Sequence, residues 1–367
     1  MIVLITENKD EVCSRAYRLI RPGHMEETFL ETPIPEGHVV IEPTLASICH
    51  ADLRYYTGQR RPEALAKKLP MALLHEGVGR VVHSTDPELQ TGERVVIVPN
   101  IPGYMQDGIT PEECCPVCKD GPGGNYCSRG YFLGSGIDGI AQNRLVIPAS
   151  CAIPIPSDLP DEIAVLSELC SVSYQALQRV RDRWGRARAA VFGDGPVGYL
   201  TASMIHHLFG LDKDRLKVFG ADPNKIDKFH FADCAMVQEY DFAAAETVDI
   251  AVECTGGRFS ESAVNQAIDI LNPGGILILM GVTEERVPIN TRDVLEKGLT
   301  LIGSSRSYAP DYYQVLEAMK DPSYQQTLRQ ILPEEWTRIS KLEDYIEAMN
   351  DAAEHRGWKK TVLAFQW

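Results

Sequence analysis

The chain has 367 residues, 44% of them hydrophobic and 24% charged, with a formal net charge of -15. That length exceeds one ordinary core and predicts two domains, while an acidic balance with no basic tail or stripe excludes nucleic acid as a partner. The start, Met1 to Thr6, lacks a basic flank and meets Glu7 and Asp10 at once, and no apolar run reaches spanning length, so a cytoplasmic protein with no membrane partner is expected.

The first 150 residues hold short β-branched runs broken by Gly and Pro, at 39–41, 78–82 and 94–98. They predict strands of a small β-barrel-like domain with long excursions. Four of the ten cysteines, Cys114, Cys115, Cys118 and Cys127, fall within fourteen residues, and in a reducing compartment such crowding points to metal ligands or buried thiols. From about Pro160 the texture changes. Strands at 190–192, 217–219, 248–252, 276–279 and 299–302 are separated by helical stretches, the first of them at 197–208. This alternation predicts an α/β, doubly wound parallel sheet. The tail reads as helices at 312–319 and 341–354, then a strand at 361–365.

Gly193-Asp194-Gly195-Pro196-Val197-Gly198 follows the first strand of this half and opens a helix. Gly193 and Gly195 allow a tight turn and close backbone approach to a pyrophosphate, and the helix N-terminus, through Pro196, Val197 and Gly198, supplies the positive dipole end. The second strand ends in Gly220, where NAD-binding versions carry an acid for the ribose hydroxyls. A glycine leaves room for a 2′-phosphate, and Lys225 is the nearest cation, so NADPH is favoured over NADH; Asp222 could still serve a ribose.

Cys49, His75 and Glu168 are a thiolate, an imidazole and a carboxylate, the ligand types that zinc takes in three-ligand sites with one open position. An open zinc beside a nicotinamide can polarise a carbonyl. Composition alone does not join the three, and His75-Glu76 also reads as a buried histidine beside a surface acid.

The layout Cys49-x-x-Asp52, His75-Glu76-Gly77-x-Gly79-x-Val81, Gly92-Glu93-Arg94-Val95, Gly193-x-Gly195-x-x-Gly198 and Glu253-Cys254-Thr255-Gly256 resembles the zinc-containing medium-chain dehydrogenase/reductase family over nearly the whole chain. The resemblance implies a GroES-like β-rich catalytic domain at 1–159 with a cysteine-bearing lobe at about 112–127. It implies a Rossmann domain at 160–307 and a segment at 308–367 that returns to the catalytic domain. It maps the catalytic Zn2+ ligands onto Cys49, His75 and Glu168, and a Glu third ligand is the polyol-dehydrogenase pattern. The family usually has Ser or Thr two residues after the first ligand as a proton relay. Here it is Ala51, which leaves Glu76, Tyr55 or a bound water as the route. The family's structural zinc lobe has spacing C-x2-C-x2-C-x7-C. Cys115, Cys118 and Cys127 match it with one residue inserted, so a second zinc through Cys114, Cys115, Cys118 and Cys127 is expected. Glu112 in place of Cys114, or a lobe that has lost its metal, are the alternatives.

Further stretches, among them Arg54-Tyr55-Tyr56-Thr57-Gly58, Lys68-Leu69-Pro70-Met71, Asn290-Thr291-Arg292 and Gly357-Trp358-Lys359-Lys360-Thr361, are similar to the ribulose-5-phosphate reductases. These make ribitol 5-phosphate with NADPH for CDP-ribitol and wall or capsule polymers. The resemblance implies a sugar phosphate substrate, Arg306 as a substrate contact, a homodimer and a cytidylyltransferase as a pathway partner. Because the net charge opposes a phosphate, local cations are needed, and Arg60, Arg61, Lys67, Lys68 and Lys359 are further candidates. A dehydrogenase of an unphosphorylated polyol or alcohol is the alternative enzyme, and a zinc-free binding or structural relative is the alternative of another class.

Overall fold

In the first half of the chain the β-branched runs at 39–41 and 78–82 extend into longer strands, with neighbours on both sides to take their backbone hydrogen bonds, while the run at 94–98 forms the shorter strand Arg94–Ile97. A computed structural model describes residues 11–120, 124–355 and 357–367; the lead Met1 to Thr6, read as no signal peptide, lies outside the described residues. His38–Ser47 is central, flanked in order by Glu76–Ser84, Arg94–Ile97 and Ala152–Pro154 on one side and by Val362–Phe365 and Thr337–Ile339 on the other; Leu145–Pro148 also pairs with it. A three-stranded sheet of Glu11–Arg21, His24–Pro33 and Met71–Ala72 completes the packing.

The register of the central strand decides what it carries at its end. Ser47 lies opposite Glu76 on one side and Val362 on the other. The chain then turns into helix His50–Tyr56, with Cys49 as its N-cap. Strand pairing thus brings Cys49, the His75-Glu76 pair and the segment around Lys360 to one place.

The second half forms six parallel strands in the order Asp233–Met236, Leu216–Gly220, Ala189–Phe192, Val248–Glu253, Leu271–Leu279 and Thr300–Gly303. The order reverses between Ala189–Phe192 and Val248–Glu253, which is the topological switch point where such sheets receive a dinucleotide. Strand Ala189–Phe192 is buried throughout, and the Phe192 and Phe219 rings stack at 4.7 Å.

The chain divides into two compact units. The first ends at Glu168 and takes back Ser307–Lys320 and Leu332–Trp367; the second is Leu169–Arg306 with Asp321–Ile331. The expected boundary at 159/160 therefore falls nine residues later, and the tail from 308 does not return whole. Helix Pro322–Leu328 packs with the nucleotide-binding unit, where Tyr199 donates to the Thr327 carbonyl (3.0 Å) and His207 meets Thr327 Oγ1 (2.9 Å). Burial, reinforced by His206, pushes the His207 imidazole down to about 4 from 6.5. The unfolded chain therefore takes this proton more readily than the folded one. The histidine's contribution to stability is full above pH 6.5 and is lost as pH falls from 6.5 towards 4. His207→Gln is expected to flatten the acid limb of the thermal-stability profile over that window; a profile unchanged from the parent's would refute this.

Candidate active site

Within the first unit, ligand atoms of Cys49, His75 and Glu76 all lie within 4.8 Å of one another. Each is held by a different device. Asp52, buried one turn into the helix that Cys49 caps, accepts from the Cys49 amide (2.9 Å) and the Leu74 amide (3.1 Å) and lies 3.4 Å from His75 Nδ1. Burial works to raise the Asp52 carboxyl, but the His75 imidazole and these amide bonds outweigh it and hold it low. An ionised Asp52 on Nδ1 leaves Nε2 as the histidine's donor to a metal. Leu74, just before His75, sits at φ 74°. For a bulky residue this left-handed backbone is strained, and such strain persists only where the surroundings fix it, here to aim the imidazole.

Glu76 is buried on the neighbouring strand. Lys360 Nζ pairs with its Oε2 at 2.8 Å and also donates to the Ile48 carbonyl, and the Ser47 hydroxyl donates to the same carboxylate oxygen. Glu76 Oε1 is buried with no hydrogen-bond partner. Glu168, at the start of helix Ser167–Gln178, is buried as well; burial and the nearby Glu76 and Asp52 carboxylates push it up to about 7, against His75 and Lys360. The structure thus joins Cys49 and His75 as expected and adds Glu76 as the carboxylate in direct reach, with Glu168 facing the same group.

The donor set fits zinc. It offers sulfur, imidazole nitrogen and carboxylate oxygen, one oxygen of which is orphaned. Burial, then Glu76, raises the Cys49 thiol, so a thiolate at this position needs a cation beside it.

The four lobe cysteines come together too. Their Sγ atoms lie within 4.8 Å of one another, with Cys114–Cys127 at 3.5 Å, Cys115–Cys118 at 3.6 Å and Cys115–Cys127 at 3.9 Å. Four Zn–S bonds of ~2.3 Å in a tetrahedron put the sulfurs roughly 3.8 Å apart. Cys114 and Cys115 are neighbours in the chain, yet the backbone lets both serve one ion: helix Pro111–Cys114 stops, Cys115 is fully extended (φ -167°, ψ 163°), and helix Pro116–Asp120 begins. Both thiols then face inward, and Glu112 is left exposed. Amides of Ser128 and Cys118 push the Cys115 thiol down to about 6, which favours the thiolate a metal requires.

In the second unit the glycine loop is built for a close ligand. Gly193 has φ 132°, and a Cβ on Gly198 would meet the Gly193 carbonyl oxygen at 2.0 Å, so both must be glycine. Nothing lies within 4 Å of a Cβ on Gly195, where a pyrophosphate would approach; Pro196 and Val197 then open helix Pro196–His207. Gly220 has a packing cause that its sequence position does not reveal. A Cβ there would meet Ile226 Cδ1 at 2.6 Å and Asp194 Cβ at 2.9 Å. Asp194 accepts from the amides of Ala221 (2.7 Å) and Asp222 (2.8 Å), and Lys225 lies 3.9 Å from Asp222.

The other expected cations separate clearly. Arg61 and Lys67 are exposed, and Lys359 pairs with Glu334 at 3.1 Å. Arg306 ends the second unit at φ 62°. Lys68 and Arg60 are half-buried around Tyr55. Ser47 carried no sequence signal and Lys360 entered only as part of a similar stretch with no role; the register of three strands brings both to Glu76.

Comparison with known proteins agrees with this architecture. The Alcohol dehydrogenase GroES-like domain matches residues 35–157, and the Zinc-binding dehydrogenase family matches residues 215–321. The chain is 37% identical over 353 residues to ribulose-5-phosphate reductase 1 of Staphylococcus aureus, covering 95% of this chain and 98% of that protein. It is 34% identical to the ribulose-5-phosphate reductase of Bacillus spizizenii, covering 96% and 99%. The crystal structure of S. aureus TarJ in complex with NADPH superposes with a TM-score of 0.81 at 33% identity, covering 97% of this chain and 100% of that one. The chain therefore belongs to the zinc-binding medium-chain dehydrogenase/reductase family, in the group that contains the ribulose-5-phosphate reductases.

Proposed function

We propose that the protein reduces the C2 ketone of D-ribulose 5-phosphate to D-ribitol 5-phosphate, with NADPH as hydride donor and a catalytic zinc held by Cys49, His75 and Glu168. The observation that carries this reading is a half-buried thiol beside a buried imidazole and carboxylate in a chain 37% identical, over 95% of its length, to a ribulose-5-phosphate reductase. Glu168 is preferred to Glu76 as third ligand because the Glu76 charge is already matched by Lys360 at 2.8 Å. A carboxyl pushed up to about 7 by burial is one that a bound cation would ionise.

When bound, zinc supplies Lewis-acid polarisation of the ketone. The chain's own residues do the rest. Asp52 fixes the orientation of His75, Lys360 and Ser47 fix Glu76, and the loop Gly193 to Gly198 receives the pyrophosphate so that the nicotinamide is held for hydride transfer. For NADPH, the support is the absence of an acid at Gly220, the proximity of Lys225 and the NADPH-bound relative. Gly220→Asp would disturb Ile226 and Asp194, so Lys225→Met is the cleaner probe.

A second zinc through Cys114, Cys115, Cys118 and Cys127 would be structural, since four thiolates leave no open position. No helix among the described residues is long and apolar enough to cross a membrane. All ten cysteines are free of disulfides, which fits a reducing cytoplasm. Strand Thr300–Gly303 ends the parallel sheet, and Leu295, in the helix that precedes it in the chain, is 79% exposed; both support a homodimer through this unit. The product would be consumed by a cytidylyltransferase that makes CDP-ribitol.

Steady-state reduction of ribulose 5-phosphate, ribulose and xylulose with NADPH and with NADH tests the reading. Ribulose 5-phosphate with NADPH is expected to give the highest kcat/KM, and Lys225→Met to lower the preference for NADPH several-fold. Equal rates on ribulose and its phosphate would favour an unphosphorylated polyol instead.

A further inference from the structure

Helix His50–Tyr56, which starts at Cys49, carries Tyr55 into a cluster of hydroxyls and cations. Lys68 Nζ donates to Tyr55 Oη at 3.0 Å and to Ser135 Oγ at 2.8 Å, and these two hydroxyls are themselves 3.0 Å apart. The Arg60 guanidinium lies 4.7 Å from the centre of the Tyr55 ring. Tyr55 is buried, and Lys68, Arg60 and Ser135 are half-buried. Among the described residues no carboxylate pairs with Lys68, although Asp138 is near in the chain to Ser135; Asp138 is taken by Arg18 and the Ala72 amide. A half-buried ammonium held on two neutral hydroxyls is unusual in a chain of net charge -15. Being half-exposed and held by hydroxyls alone, it is placed to take up an anion.

The cluster adjoins the metal donors by two independent routes. Tyr55 is six residues beyond Cys49 on one helix, about 9 Å along its axis. Ser135 sits in a turn whose amide bonds the Phe132 carbonyl at 3.0 Å, and the Phe132 ring packs 5.3 Å from the His75 ring.

We propose that Lys68, Arg60, Tyr55 and Ser135 form the cradle for the substrate's phosphate monoester, with Lys68 as its main cation. This rests on the function proposed above and names the residues that make it phosphate-specific. Lys68 and Arg60 supply charge, and the hydroxyls turn from one another towards the phosphate oxygens. Lys68 and Arg60 also hold the Tyr55 hydroxyl below its usual range, against the effect of burial, which is consistent with a site built for negative charge.

The test compares the zinc-loaded parent with Lys68→Met and Tyr55→Phe on ribulose 5-phosphate and on ribulose, and titrates each with inorganic phosphate. Lys68→Met is expected to raise KM for ribulose 5-phosphate roughly 10- to 100-fold with little change in kcat. It should leave kcat/KM for ribulose unchanged and weaken inorganic phosphate as a competitor to the same degree. Tyr55→Phe should show the same pattern in smaller measure. An equal fall on both substrates, as for a proton donor or a misfolded variant, overturns the cradle. So does retention of the parent's KM for ribulose 5-phosphate. If the parent itself treats the two sugars alike, the proposed substrate fails; the cradle then stands or falls on whether phosphate binding depends on Lys68.

Discussion

Cys49→Ser is expected to lower the zinc content by one ion per chain and to reduce kcat/KM on the order of 10³-fold, with NADPH binding retained. The loss of zinc follows from the donor set. Serine cannot offer a thiolate, and the remaining His75 and carboxylate donors make a weaker, two-type site. The size of the rate effect follows from what a Lewis acid contributes, several kcal/mol of charge stabilisation at the carbonyl oxygen, where each ~1.4 kcal/mol is tenfold. The glycine loop belongs to the other unit, so cofactor affinity reports separately on whether the variant has folded. The lobe cysteines should keep their own ion, so metal analysis distinguishes removal of one zinc from removal of both. A Cys49→Ser enzyme with the parent's turnover would end the proposal of a catalytic metal at this site.

Lys360→Met should cost stability on the order of 3–5 kcal/mol, because it leaves the Glu76 carboxylate buried without its counter-ion. Lys360 is 8% exposed and Glu76 1% exposed, so water cannot replace the missing partner. At roughly 2–4 °C per kcal/mol for a unit of this size, the melting temperature should fall by about 6–20 °C. Scans with saturating zinc keep the metal's own stabilisation constant between variants. Adding Glu76→Gln to Lys360→Met should return much of the loss, since the uncompensated charge and not the missing contact dominates the cost. Two single effects that simply add would show that the residues are not coupled.

Much of the architecture was legible in the chain. The strands around residues 40, 80 and 95, five of the six parallel strands and the glycine loop were marked by β-branched runs and by Gly and Pro at their ends. The hairpin Glu11–Arg21 and His24–Pro33 escaped because its exposed face carries Glu, Thr and Arg, which dilute the apolar alternation. Strand Asp233–Met236 escaped because it is short and lies at a sheet edge, where apolar residues are not demanded. The same contrast holds at the site. Cys49 and His75 have chemically distinctive side chains in a recognisable frame, whereas Lys360 and Ser47 are ordinary residues made functional by register alone. Gly220 shows the opposite failure: a residue whose sequence position suggested a vacancy for a phosphate is also required to be small by Ile226 and Asp194.

The helix that begins at Cys49 has one more consequence. It is tied down at its far end, where the Tyr56 hydroxyl donates to Asn350 Oδ1 at 2.7 Å and its carbonyl accepts from Gly23. If Cys49 binds the metal and Tyr55 the phosphate, one short helix fixes both. Such a rod would hold the two contacts at a set separation. A substrate held at both would then be selected by the separation of its ketone and its phosphate as well as by its charge.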